Sequence, residues 1–140
     1  MSDYADWTNK MIADLRANAG QATGGPMAGR PLMILTTTGA KSGEPRQVIV
    51  TYSRDGDAFV VAGTKSGAPE DPFWFTNLVA DPNVTVEAGG ESFKAVAKVA
   101  AQGADRDALW DRHVARNPEF ADYPSRTTRI IPMARLTRIA

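Results

Sequence analysis

The chain has 140 residues, 43% of them hydrophobic, which suits one domain built around one sizeable core. Its 16 basic and 16 acidic residues give a formal net charge of zero, which excludes a global field that would draw in nucleic acid or an anionic membrane. With no cysteine and a single histidine, His113, the chain has no disulfide framework, thiolate metal site or histidine cluster, and no metal site is expected.

Tyr4, Trp7, Met11, Ile12 and Leu15 recur at three- and four-residue steps, the stripe of an amphipathic helix ending near Asn18 and Gly20. The stripe is expected to dock on the rest of the protein. The alternative is peripheral attachment to a membrane surface, which the mixed charges of Asp3, Asp6, Lys10, Asp14 and Arg16 disfavour. Gly20 to Pro31, rich in Gly, Pro and small residues, reads as a linker or a flap that could close over a ligand. The expected division is residues 1–25, helix and Gly-rich linker, and residues 26–140, the main domain.

From Leu32 the pattern changes to strands. Leu32 to Thr38, Arg46 to Ser53 and Ala58 to Thr64 are rich in β-branched residues, and Asp55-Gly56 is a hairpin signal. Asn83 to Ala88 and Ser92 to Ala100 flank a Gly89-Gly90 turn, and Ile130 to Ile139 is a last strand in which Pro132 should mark an edge or bulge. Two helices interrupt them. One runs from Pro72 to Ala80 with Asp71 as its N-cap, and the other from Ala104 to Arg116 after Gly103. The fold class is therefore mainly β (α+β), a small barrel of about six strands with flanking helices. No apolar run approaches the roughly 20 residues that cross a bilayer, and no signal peptide is visible, so the cytoplasm is the expected compartment.

One loop carries most of the functional information. Between the first two strands, Thr38-Gly39-Ala40-Lys41-Ser42-Gly43-Glu44-Pro45-Arg46 places two cations on a Gly-bracketed turn. Positive φ at Gly39 and Gly43 would let backbone N–H groups approach an anion, with Lys41 and Arg46 supplying charge. The alternative is a surface hairpin with solvated charges. A Walker A loop is excluded by the spacing and by the strand that follows. Asp105, Asp107 and Asp111 read as a solvated helix face, and His113 as a partly exposed structural histidine. No Ser/His/Asp arrangement or paired carboxylate motif is present.

The Thr36 to Arg46 loop, together with Asp55-Gly56-Asp57, Val60 to Ala68, Asp71 to Leu78, Asp81-Pro82-Asn83-Val84 and Arg129-Ile130-Ile131-Pro132, resembles the deazaflavin-dependent nitroreductase and quinone reductase family. The resemblance runs from about Pro31 to Leu136. It implies a split β-barrel like those that bind flavins, coenzyme F-420 as cofactor, and hydride transfer to a small electron-poor acceptor such as a quinone, an enone or a nitro compound. It also implies cofactor contacts at Ala40, Lys41, Ser42, at Arg46, Gln47, Val48, Ile49, Val50, Thr51, at Ala62, Gly63, Thr64, Lys65, and at Phe73, Trp74, Phe75, Thr76, Asn77. Among the three aromatics, Trp74 and one phenylalanine are the expected walls of the ring slot, with at least one of the three left as plain core. The family carries a tyrosine where this chain has Phe120, so the resemblance makes Phe120, with Tyr123, an apolar lid over the ring and puts nitroimidazole reduction in question. An FMN-dependent enzyme of the related pyridoxamine-phosphate-oxidase-like group and a non-catalytic binder of cofactor or lipid are the alternatives, and either a monomer or a homodimer fits.

Overall fold

The computed structural model describes residues 3–23, 29–64 and 71–139, with side chains from residue 6 onward. Lys65 and the middle of the Gly20 to Pro31 stretch therefore lie outside the described residues. The element order is α1 (Asp3–Ala17), β1 (Leu32–Thr38), β2 (Pro45–Thr51), β3 (Ser53–Asp55), β4 (Ala58–Ala62), α2 (Phe73–Ala80), β5 (Asn83–Ala88), β6 (Glu91–Ala100), α3 (Ala104–Arg116), a 3-10 segment (Pro118–Arg126) and β7 (Met133–Arg138).

Seven strands form one antiparallel sheet in the order β2-β1-β5-β6-β7-β4-β3. The expected strand from Arg46 to Ser53 is in fact two. It breaks at Tyr52, whose N–H makes the last β1–β2 bond, to the Pro31 carbonyl at 2.9 Å, while its carbonyl leaves the sheet to accept the Asn117 side-chain amide at 3.2 Å. β2 pairs with β1 and β3 with β4, at opposite ends of the strand order. The chain at Tyr52 thus joins the two ends of the sheet. A sheet tethered at both edges by one residue must curl, which makes the split barrel.

The pleat sorts the side chains. Met33 and Leu35 on β1 and Phe59 and Val61 on β4 fill the barrel interior with Trp74, Phe75 and Leu78 of α2. Their neighbours Leu32 and Ile34 face α1, meeting Ile12 and Leu15, while Val60 and Ala62 face α3, meeting Leu109. Strands covered on both faces lose the apolar–polar alternation, which is why β1 and β4 read as continuous hydrophobic runs. α1 docks as expected, although Trp7 is 42% exposed and Thr8 takes a buried place on the docking face. Arg16 clamps the helix through a two-pronged pair with Glu87 on β5, both contacts at 2.9 Å.

Several boundaries differ from the sequence expectation, and two of them have a local cause. The last strand starts at Met133, because Pro132 has no N–H for the ladder, although its carbonyl still accepts Gly63 N–H at 2.9 Å in the β4–β7 register. α2 has Pro72 at its N-cap without any side-chain cap, since Asp71 is turned to Arg129 at 2.7 Å. No described helix is long and apolar enough to cross a membrane.

Candidate cofactor site

The β1–β2 loop closes on itself. Gly39 N–H donates to the Glu44 carbonyl at 2.8 Å, and Gly43 N–H to the Gly39 carbonyl at 2.9 Å. Gly43 takes the left-handed conformation at φ 70°. Gly39 is needed for another reason than the expected positive φ: a Cβ there would stand 2.5 Å from Ser42 Oγ and 3.3 Å from the Glu44 carbonyl oxygen. The folded-back loop leaves the N–H groups of Lys41 and Ser42 without an acceptor among the described residues.

The loop's cations are available. Lys41 forms no ion pair with any described residue and is exposed. Arg46, beside Glu44 at 3.6 Å, makes only long contacts to Ser42 Oγ and the Pro45 carbonyl, both at 3.4 Å. Such solvated, loosely held partners exchange readily for a doubly charged anion.

Helix α2 forms the opposite wall. Asn77, buried on that helix, accepts the Ala40 N–H on Oδ1 at 3.0 Å and donates from Nδ2 to Thr37 Oγ1 at 3.2 Å, which ties the loop to the helix. Between them lies a cleft of about 380 Å³ with Ala40, Lys41, Ser42 and Arg46 on one side. Phe73, Thr76 and Asn77 line the other. Phe73 is 49% exposed, whereas Trp74 and Phe75 are buried in the barrel core with their rings 5.5 Å apart. Of the expected pair of Trp74 and one phenylalanine, the ring on this helix that lines the cleft is Phe73, and Trp74 does not. Three consecutive helical residues point about 100° apart, and the barrel claims the two larger apolar faces.

The remaining expected contacts are dispersed. Val48 and Val50 point into the barrel, Ile49 packs towards α1, Gln47 is exposed and Thr51 is half-buried at the end of β2, so none of these side chains lines the cleft. Ala62 belongs to the cluster beneath α3. Gly63 is required by close packing, since a Cβ would come within 2.9 Å of the Phe75 ring and 3.1 Å of Pro132. Phe120 is buried in the Ala62 cluster, edge-on to His113 at 4.6 Å and to Tyr123 at 5.1 Å, and does not line the cleft. A ring so covered by protein has little face left for a cofactor, so the expected lid over the ring is not displayed here.

His113 also departs from expectation. It is fully buried, its Nδ1 is 2.8 Å from Ser53 Oγ, and its Nε2 has no partner. Burial lowers its pKa to about 4, so the ring is neutral at pH 7. Arg129 is a residue that the strand pattern could not single out. Its guanidinium donates to the carbonyls of Gly63 at 3.0 Å and Thr64 at 2.9 Å and to Asp71 at 2.7 Å. Partners that lie about sixty residues apart leave no local spacing signal. Among the described residues no group of three His, Asp or Glu could hold a metal.

A family model described as F-420H(2)-dependent quinone reductase matches residues 7–138, nearly the whole chain. The chain belongs to that family. The F-420H(2)-dependent quinone reductase Rv1261c of Mycobacterium tuberculosis is 41% identical over 110 residues, covering 77% of this chain and 74% of the relative. A solved F-420-H2-dependent reductase, FDR-A, superposes with a TM-score of 0.69 at 32% identity, over 76% of this chain and 94% of that one. A structure solved as a domain-swapped dimer gives a TM-score of 0.71 at 27% identity over 96% of this chain and 97% of that one. This member of the F-420H(2)-dependent quinone reductase family is thus an oxidoreductase with coenzyme F-420 as cofactor.

The residues present fit that cofactor. Two uncommitted backbone N–H groups, an ammonium and a guanidinium at one turn are the donor set for a phosphate, and the half-exposed Phe73 supplies an apolar face beside it.

Proposed function

We propose that the chain holds the phosphate and acidic tail of F-420H2 on the Gly39 to Arg46 loop and delivers a hydride to a quinone. The carrying observation is the cleft in which Lys41 and Arg46 face Phe73 across a loop fixed to α2 by Asn77. When bound, the cofactor supplies a hydride from carbon 5 of its deazaflavin ring, and the protein supplies binding and orientation. Lys41 and Arg46 neutralise the anion, Ala40 to Ser42 present backbone groups to it, and Phe73 covers an apolar edge and keeps water from it. Ala62, Gly63, Thr64 and Lys65 remain proposed contacts of the cofactor. Among acceptors the quinone is favoured by the family's description over an enone or a nitro compound.

The dimeric solved relative supports a homodimer, and the absence of a membrane-crossing helix among the described residues is consistent with a cytoplasmic enzyme. Titration with F-420, FMN and FAD, read by cofactor and tryptophan fluorescence, tests the cofactor assignment. Oxidation of F-420H2 by a quinone, followed by absorbance, tests the reaction. Tight binding of FMN and none of F-420 would overturn the reading.

A further inference from the structure

The side chain of Asn77 is committed to protein atoms although it lines the cleft. Its Oδ1 accepts the Ala40 N–H at 3.0 Å, one Nδ2 hydrogen goes to Thr37 Oγ1 at 3.2 Å, and both Asn77 and Thr37 are buried. Ala40 immediately precedes Lys41 and Ser42, whose N–H groups point to no described acceptor, so the orientation of the anion-binding peptides is set by the peptide that Asn77 holds. Among the described residues the rest of the loop is fixed by its own backbone bonds, by contacts of Ser42 with Glu44 and Arg46, and by the exposed Arg46–Glu44 pair.

We infer that Asn77 is a positioning residue for the anionic half of the cofactor: it aims the Ala40 to Ser42 backbone at the phosphate and does not itself bind the deazaflavin ring. This rests on the proposed placement of the phosphate on the loop. Asn77 thereby makes α2 and the loop one unit, so the helix that carries Phe73 and the turn that carries Lys41 keep a fixed separation. Preorganised donors bind an anion without first being ordered, and freeing the Ala40 peptide adds that ordering to every binding event.

The experiment compares two ligands, intact F-420 and the deazaflavin chromophore lacking phosphate and glutamate tail, by fluorescence titration. Asn77→Ala is expected to weaken F-420 binding about tenfold, the scale of one lost buried hydrogen bond, while the tail-less chromophore binds as to wild type. Thr37→Val removes the other partner of the same amide and should lower the melting temperature similarly while leaving F-420 affinity within about twofold. Equal weakening of both ligands by Asn77→Ala would show a direct ring contact and overturn the inference, as would an F-420 loss of the same size in Thr37→Val. Arg46→Ala serves as a separate check on the loop itself. If it and Lys41→Ala both leave F-420 affinity unchanged, the phosphate lies elsewhere and the placement on the loop fails, whatever Asn77→Ala does.

Discussion

His113 Nδ1 and Ser53 Oγ lie 2.8 Å apart in a fully buried contact that joins α3 to the short strand β3. Nothing charged compensates the imidazole there, and burial alone brings its pKa from the ordinary 6.5 down to about 4. In the unfolded chain the ring protonates as pH falls through 6.5, while in the fold it stays neutral until about 4. The unfolded state therefore binds more protons in that window, and stability falls with pH across it.

The loss expected for the wild type between pH 6.5 and 4 is about 3 kcal/mol, and it levels off once both states are protonated. Asp14 and Asp105, whose pKa values are lowered by Thr23 and Arg135 hydrogen bonds respectively, add their losses only as pH falls through the ordinary 3.8 and below. Urea midpoints measured from pH 7.5 to 4 should slope for the wild type and flatten for His113→Leu. Parallel curves for the two proteins would mean that the imidazole is hydrated or charged in the fold.

Lys41 and Arg46 are exposed, so replacing either by Ala should leave the melting temperature nearly unchanged. Loss of a charge-assisted hydrogen bond costs about 1.5–3 kcal/mol, so each variant should bind F-420 roughly ten- to a hundredfold more weakly, and the wild-type affinity should fall with added salt. Isothermal titration at two ionic strengths measures both effects. Unaltered affinity in both variants would remove the phosphate from this loop.

Phe73 and Trp74 should separate affinity from stability. Phe73→Ala removes a ring that is 49% exposed, so it should weaken cofactor binding severalfold with little change in folding. Trp74→Ala opens a cavity between α2 and the barrel and should destabilise by about 3–5 kcal/mol. Denaturation curves and F-420 titrations on the same preparations decide. A stable Trp74→Ala protein with lost affinity would restore Trp74 to the ring slot.

Gly63→Ala should destabilise the fold by about 1–3 kcal/mol, because the added methyl meets the Phe75 ring and Pro132, both of which are held by packed neighbours. The double variant Gly63→Ala with Phe75→Leu should recover part of that loss if the ring is the obstacle. Thermal melts of the two variants give the answer, and a double variant no more stable than Gly63→Ala alone would place the clash at Pro132.

The sequence by itself determined the features that local physics controls. Gly103 marks the start of α3, the Asp55-Gly56 and Gly89-Gly90 turns fall where positive φ demands them, and the Gly-bracketed loop with Lys41 and Arg46 stands between two strands as its pattern implies. Its motifs also carried the family, since they stand in the family's order and at its intervals along the chain. Tertiary structure alone decided whatever depends on which faces meet. At the Tyr52 break the chain leaves β1 for β4, with the Tyr52 carbonyl taken by Asn117 from 65 positions away. Phe73 rather than Trp74 reaches the cleft because the barrel claims the adjacent rings, and Phe120 and the α3 residue His113 are buried edge-on against each other. Asn77 to Ala40 and Arg129 to Gly63 are contacts between residues 37 and 66 positions apart. Periodicity reports one element's own repeat, and such partners exist only once the sheet has curled.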